Sequence, residues 1–144
     1  MIKAFSLLEI LLVIAGISII LTFAIPKFNN ILNNSKITEL KSNIAIIRNN
    51  ISKLKTKQIL LNESVNIDSL DSAIIDKEEE LLFNKIIDFP IVSTNSSKNE
   101  IGKWLKVSNN SYKYILSSSK NIIFLLEDNI FQCKSSLELC KEVE

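Results

Sequence analysis

The hydrophobic residues of this chain form one continuous block near the N-terminus and an interrupted, periodic pattern after it. Residues 5–25 read FSLLEILLVIAGISIILTFAI, and the block is apolar apart from one carboxylate and a few hydroxyl side chains. As an α-helix it would be about 31 Å long, which matches the roughly 30 Å hydrocarbon core of a bilayer. The block therefore predicts one membrane-spanning helix.

A cleaved secretory signal and a plain membrane anchor are the two alternative interpretations of this block. A cleaved signal has a positively charged start, an apolar core of about 7–15 residues and a small-x-small cleavage site. Here only residues 1–4 precede the block, the apolar run is longer, and Phe23–Pro26 makes a poor cleavage site. A plain anchor explains the hydrophobicity well and stays open as an alternative.

A helical pattern continues after Pro26. Apolar side chains recur at intervals of four, three, four and three residues, at Leu40, Ile44, Ile47, Ile51 and Leu54. This spacing predicts an amphipathic helix over residues 26–60, with its apolar stripe packed on the chain's own globular part. Since Pro26 has no backbone N–H and clashes with the preceding turn, a kink is expected where the membrane helix passes into this continuation.

Residues 61–144 are predicted to form one globular region. The acidic run Asp76–Glu80, followed by apolar residues up to Pro90, predicts a second helix, because acidic side chains in the first turn favour the helix dipole. Three runs with strand character follow, at residues 103–107, 112–116 and 121–127. They predict an antiparallel meander whose buried face covers the helix stripe.

Charge and aromatic residues give little support for a nucleic-acid partner. The net charge is +1, although residues 36–57 carry +5 and residues 63–80 carry −6. Each charged segment is interpreted as a solvated face, or as one of two surfaces that oppose each other in an assembly. Trp104, Tyr112 and Tyr114 are interpreted as core or edge packing rather than a stacking surface for bases. DNA binding by the basic helix, through Lys53, Lys55 and Lys57, is an alternative that these charges leave open.

Composition also argues against catalysis. The chain has no His, which removes His-based acid–base catalysis, Ser-His-Asp and Cys-His nucleophiles, and zinc sites that need imidazole. Two glycines leave no glycine-rich phosphate loop. No carboxylate pair stands out from the surface charge. The chain is not predicted to be an enzyme, and no catalytic residue, metal or cofactor is predicted.

Glu9 is the charged residue inside the apolar block. A carboxylate in a membrane helix costs about 2–3 kcal/mol near the bilayer centre and less near its edge, so it normally marks a function with a partner. A plain anchor gives Glu9 no such partner. A cut between Ala4 and Phe5 would create an α-amino cation one turn away. Pairing of that cation with Glu9, within one chain or between staggered neighbours, would neutralise both charges.

The string KAFSLLE at residues 3–9 resembles the prepilin cleavage signature of the type IV pilin and type II secretion pseudopilin family. In that family a membrane peptidase cuts before a Phe and methylates the new N-terminus, and a Glu occupies the fifth mature position. Counted from Phe5, Glu9 is the fifth residue and Pro26 the twenty-second, where many type IV pilins also have a kinking proline. One departure is Ala4, where the family usually has Gly; Ala is also small. The resemblance covers roughly the first 30 residues.

The resemblance implies a pilin-like α+β fold, in which a long N-terminal helix packs on a small antiparallel sheet. It divides the chain into a leader, a membrane helix, an amphipathic continuation and a globular region, at residues 1–4, 5–25, 26–60 and 61–144. It also implies cleavage between Ala4 and Phe5, N-methylation of Phe5 and assembly through Glu9.

The partners that the resemblance implies are a prepilin peptidase, like or related pilin subunits, an inner-membrane assembly platform and membrane lipid. The implied location is the bacterial inner membrane, crossed once, with the C-terminal domain in the periplasm. Lys3 and Lys27 flank the apolar block, so charge bias does not decide the orientation, which rests on the resemblance.

The expected function is structural. The chain would be a pseudopilin or minor pilin of a type IV pilus-like filament that serves type II protein secretion, pilus biogenesis or DNA uptake. The alternative from another class is a monomeric, inner-membrane-anchored binding protein of the periplasm.

Cys133 and Cys140 are the two cysteines of the chain. Their spacing is not that of a CxxC redox motif, and two thiolates without His make a poor metal site. A single disulfide is expected if this end lies outside the cytoplasm, and the chain-entropy estimate gives it about 2.5 kcal/mol. Two reduced thiols are expected if the topology is reversed.

Overall fold

The computed structural model describes residues 6–89 and 91–144, and the side chains at positions 26 and 28–33 are not described. The elements are α1 (Leu7–Leu60), β1 (Leu81–Leu82), β2 (Ile91–Val92), β3 (Trp104–Lys106), β4 (Ser111–Ile115), β5 (Asn121–Glu127), β6 (Ile130–Cys133) and α2 (Leu137–Val143). Two compact units are present, Met1–Ser35 and Lys36–Glu144. The predicted leader and cleavage site, at residues 1–5, lie outside the described residues.

The long N-terminal helix is confirmed as α1. It begins after Ser6, whose carbonyl oxygen accepts the N–H groups of Glu9 and Ile10 at 3.0 and 3.3 Å. The backbone is helical at position 26, so Pro26 does not end the helix. The kink expected there stays a prediction.

The small antiparallel sheet is also confirmed. Strands β3, β4, β5 and β6 lie side by side in chain order, each antiparallel to the next, which makes a meander. In its register Trp104 lies opposite Tyr114, and Tyr112 lies opposite Phe124. β5 has the predicted bounds, and β3 and β4 lie within a residue or so of theirs. A two-stranded antiparallel sheet of β1 and β2 accompanies the meander.

Strand β6 was not predicted from the sequence. It pairs with β5 so that Leu126 lies opposite Phe131. The connection is the two-residue turn of Asp128 and Asn129, both with positive φ, at 53° and 59°. Positive φ at both central residues is the hairpin geometry that matches the twist of the flanking strands, and Asp and Asn adopt it more readily than most residues.

The amphipathic stripe of α1 forms one side of the core of the unit Lys36–Glu144. Leu40, Ile44, Ile47 and Ile51 are buried, and partly buried Leu54 packs against the same cluster. The sheet supplies the aromatic residues of that cluster: Trp104, Tyr112, Tyr114, Phe124 and Phe131. The core-packing interpretation of the Trp and the two Tyr residues is therefore confirmed. Full burial of one such large apolar side chain contributes about 1.5–3 kcal/mol.

The predicted second helix is wrong. The residues from Asp76 to Ile87 form turns and the short strand β1 instead. Three of them have positive φ, Asp76 at 54°, Glu79 at 60° and Phe83 at 59°, which no right-handed helix contains. Pro90, the expected helix end, lies outside the described residues.

Long-range partners explain why this segment is not helical. The Glu80 N–H donates to Ser93 Oγ at 3.0 Å, and the Glu80 carbonyl accepts the Ser93 N–H at 2.9 Å. Phe83 is fully buried, with its ring 4.6 Å from that of Tyr112 between centroids. Acidic side chains and apolar spacing favour a helix only locally, and tertiary contacts of this kind override that preference.

Candidate functional site

The apolar start of α1 contains no buried residue. The nineteen residues Leu7–Ile25 have a mean hydropathy of 2.6, and none of them is buried. Leu7 and Phe23 are 81% and 74% exposed. A helix of this length and composition is apolar enough to cross a membrane. The core helix of a soluble domain would be mostly buried, whereas none of this segment is.

The hydroxyl groups of this segment are satisfied inside the helix. Ser18 Oγ donates to the Ile14 carbonyl at 2.8 Å, and Thr22 Oγ1 donates to the Ser18 carbonyl at 2.8 Å. In hydrocarbon each polar group needs a partner within the protein, and these two bonds provide it. Neither hydroxyl therefore requires an external partner.

Glu9 differs from these hydroxyls. It lies in the first turn of α1, where the free N–H groups and the helix dipole favour a negative charge. Its carboxylate makes no hydrogen bond or ion pair with any residue of 6–89 or 91–144. Gly16, seven residues on, is on the same helical face, and a Cβ there would meet no atom within 4 Å. Among the described residues, none covers the face that carries Glu9 and Gly16.

The other predicted residues at this end cannot be placed. Ala4 and Phe5, the predicted cleavage site, lie outside the described residues, and the side chain of Pro26 is not described. Their roles in cleavage, methylation and kinking stay predictions.

Three of the seven acidic side chains in the segment 63–80 pair with lysines of the same chain. Glu80 pairs with Lys77 at 2.6 Å, and Glu78 pairs with Lys98. Asp71 pairs with Lys106, as described below. Within the part of the chain that the structure describes, the lysines at positions 53, 55 and 57 have no acidic partner. The basic and acidic segments therefore do not pair with each other in the single chain.

A groove lies beside the C-terminal end of α1, which carries Lys53, Lys55 and Lys57. Its volume is about 350 Å³, and its lining includes Arg48, Lys55 and Ile59 from the helix with Asn129 and Ile130 from the β5–β6 hairpin. The groove is open and holds two cationic side chains. It brings together no set of groups suited to catalysis, and no three His, Cys, Asp or Glu side chains among the described residues could hold a metal ion.

The two cysteines form the disulfide that the sequence allowed. Cys133 at the end of β6 is bonded to Cys140 in α2, with 5.7 Å between their Cα atoms, a usual separation for such a bond. The bond holds α2 next to the sheet, and Val143 of α2 is buried in the core.

A buried polar cluster was missed by the sequence analysis. Lys106 Nζ lies 2.6 Å from Asp71 Oδ1, and the two side chains are only 3% and 0% exposed. One signal for it was present, because Lys106 follows Trp104 by two residues in a predicted strand and so shares its inward face. Nothing in the sequence pointed to Asp71, which arrives from a loop.

Tyr112 completes the cluster. Its side chain is fully buried, and burial together with the neighbouring Asp71 charge raises the pKa of its hydroxyl well above the ordinary value. Although the hydroxyl is close to Asp71, it makes no hydrogen bond of ordinary geometry within the described residues. Burial likewise raises the pKa of Tyr114.

No protein-family model matches this chain, and no curated protein or solved structure is significantly similar to it. The resemblance to type IV pilins and pseudopilins, drawn from residues 3–9 and Pro26, therefore stays a prediction.

Proposed function

We propose that this chain is a structural subunit, a pseudopilin or minor pilin, of a type IV pilus-like filament. In this proposal the apolar segment Leu7–Ile25 holds the subunit in a bacterial inner membrane, and the unit Lys36–Glu144 lies in the periplasm before assembly. The filament would serve type II secretion, pilus biogenesis or DNA uptake. A long apolar helix with a small antiparallel sheet is compatible with this function, although the architecture is not specific to it.

The single observation that carries the proposal is the Glu9 carboxylate, which has no partner among residues 6–89 and 91–144. Its position in an exposed apolar helix is costly in lipid unless a cation or donor reaches it. The resemblance at residues 3–9 supplies such a cation, the new α-amino group of Phe5 after cleavage by a prepilin peptidase. In a filament that amine can belong to a neighbouring subunit, so one ion pair would set the axial register between two helices.

N-terminal sequencing of the membrane-extracted protein tests the proposal. The expected mature chain begins at Phe5 with an N-methyl group, after loss of residues 1–4. A chain that keeps Met1 in cells with an active prepilin peptidase, or that starts elsewhere, would rule out this function. Replacing Phe5→Asp serves as the processing control, because an acidic residue after the cut removes the family signature.

A second candidate is a monomeric, membrane-anchored binding protein of the periplasm, and the groove beside Arg48 and Lys55 is the observation that favours it. Arg48 already pairs with Glu144, so Lys55, which has no acidic partner within the described residues, is the cation that would bind a small organic anion over the apolar lining. This candidate predicts that Lys55→Ala weakens ligand binding and leaves the chain monomeric. The filament subunit predicts the opposite for association, namely copurification of differently tagged copies or related subunits.

A further inference from the structure

Lys106 and Asp71 form an ion pair in the interior of the unit Lys36–Glu144. Besides its 2.6 Å approach to Asp71 Oδ1, Lys106 Nζ donates to the Ala73 carbonyl at 2.9 Å. Lys and Asp are among the residue types least often fully buried. Removing two such charges from water costs several kcal/mol per ion before their attraction is counted. The pair is thus an expensive element that the proposed filament role leaves without a use.

The Asp71 carboxyl group is held by fixed backbone donors on both oxygens. The Ala73 N–H donates to Oδ1 and the Phe83 N–H donates to Oδ2, each at 3.1 Å. These donors fix the carboxyl plane while Lys106 Nζ lies within hydrogen-bond distance. If a nucleophile attacked Cγ, negative charge would develop on the two carboxyl oxygens that these N–H groups already contact. Donors placed in this way form an oxyanion hole.

A proton carrier is also in place. The Tyr112 hydroxyl is buried beside Asp71 and is not engaged in a hydrogen bond of ordinary geometry among the described residues. A hydroxyl group can donate its proton to one atom while its oxygen accepts a proton from another.

We propose that Lys106 Nζ and Asp71 Cγ join in an intramolecular isopeptide bond. This inference does not depend on the proposed function, since it concerns only the interior of the C-terminal unit.

The step is a condensation that needs no other reactant. Proton transfer within the pair gives a neutral amine and a neutral carboxylic acid, and the amine nitrogen attacks Cγ. Ala73 and Phe83 N–H groups hold the two oxygens of the tetrahedral intermediate. Tyr112 gives its proton to the leaving oxygen and recovers one from the nitrogen. One Asp71 oxygen leaves as water with two of the ammonium hydrogens, which leaves a neutral secondary amide.

The surroundings of the pair favour formation of the amide. A fixed nucleophile and electrophile react as an intramolecular pair, for which effective molarities of about 10⁵ M and above are known. The low-dielectric interior destabilises two separate charges and accepts a neutral amide more readily. The bond would tie the loop carrying Asp71 to β3 across 35 residues of sequence.

Mass spectrometry of the denatured full-length chain tests the proposal without any variant. Trypsin does not cleave after a lysine whose Nζ forms an amide, so bond formation would block cleavage after Lys106. Digestion should then give peptide Gln58–Lys77 joined to Trp104–Lys113. The expected mass is that of the two peptides minus one water, with fragment ions that locate the link at Lys106 and Asp71. Three separate peptides of unmodified mass, 58–77, 104–106 and 107–113, after prolonged incubation of the folded protein, would overturn the proposal.

Two variants sharpen the test. Lys106→Arg keeps a cation opposite Asp71, but a guanidinium stays protonated and does not attack a carboxyl group. The linked peptide should be absent and no water should be lost. Loss of water in this variant would show that it comes from cyclisation at Asp71 itself, which contradicts the link.

Tyr112→Phe keeps the ring and removes the proton carrier. The linked peptide should accumulate about 100-fold more slowly than in the wild type, which is a usual contribution of a positioned acid or base. Accumulation at the wild-type rate would overturn the part assigned to Tyr112. Folding of both variants is checked by the fluorescence of Trp104.

Discussion

Arg48 and Glu144 are 96 residues apart in the sequence and form an ion pair, with Arg48 Nη2 2.6 Å from Glu144 Oε1. Arg48 Nε also donates to the Phe131 carbonyl at 2.9 Å. A single guanidinium therefore connects α1 to strand β6 and to the residue that follows α2. The side chains of the ion pair are 38% and 45% exposed, so water screens their attraction.

The two contacts of Arg48 are expected to contribute unequally to stability. Arg48→Ala should lower the free energy of unfolding by about 1 kcal/mol, because the Phe131 carbonyl loses a charged donor. Glu144→Gln, which removes only the screened ion pair, should cost less than about 0.5 kcal/mol. Urea unfolding of the full chain in detergent, followed by Trp104 fluorescence, measures both. An equal loss in the two variants would show that the ion pair is the stronger contact.

Regular elements could be predicted from the sequence where local pattern and tertiary structure agree. The spacing of Leu40, Ile44, Ile47 and Ile51 identified the buried stripe of α1, and the apolar run from Asn121 identified β5. The helix predicted from Asp76–Glu80 does not form, because the backbone and carboxylates of this segment bind partners far along the chain. Acidic residues favour a helix start. Here, however, Glu78 pairs with Lys98 and Asp76 accepts a hydrogen bond from Ser96, and no local pattern reveals these contacts.

Substitutions of Glu79 test directly whether the segment from Asp76 to Ile87 is non-helical. Glu79 is exposed and has a φ of 60°, a conformation that costs most residues about 1–2 kcal/mol and Gly almost nothing. Glu79→Gly should therefore be more stable than Glu79→Ala by about 1 kcal/mol. In a helix the order is reversed, since Ala is favoured over Gly by about 1 kcal/mol.

The same unfolding measurement on the two Glu79 variants decides between these structures. Both variants remove the same charge, so the comparison isolates the backbone. An Ala variant more stable than the Gly variant would restore the predicted second helix.

Asp76 should make stability depend on pH in the acidic range. Its carboxylate accepts the Ser96 hydroxyl and the Ser96 N–H, each at 2.6 Å, and these bonds hold its pKa below the ordinary value of 3.8. A carboxyl group with a lowered folded pKa stabilises the fold above its unfolded pKa, and that stability is lost as pH falls through the folded pKa. The difference in melting temperature between wild type and Asp76→Asn should shrink between about pH 6 and about pH 3.

A difference between wild type and Asp76→Asn that stays constant down to about pH 3 would contradict the assigned hydrogen bonds.

The candidate site was predictable only in part, for reasons specific to each residue. Glu9 was visible because one carboxylate interrupts an otherwise apolar helix. The Cys133–Cys140 pair was visible as a short loop, although only the structure shows the bond. The Lys106–Asp71 pair was not visible, because a loop residue reaches a strand residue through the fold. What Glu9 contacts in an assembly depends on other chains, which a single sequence does not contain.

The replacement of Glu9 by an apolar residue tests the central claim most directly. The measurement is the amount of tagged subunit in the sheared filament fraction, relative to the membrane fraction, in cells that assemble these filaments. Glu9→Val should stay in the membrane, because the helix becomes more apolar, but should be lost from the filament fraction. Leu8→Val, one residue away, should assemble like the wild type. Normal incorporation of Glu9→Val would contradict the account, because it would show that assembly needs no charge at this position.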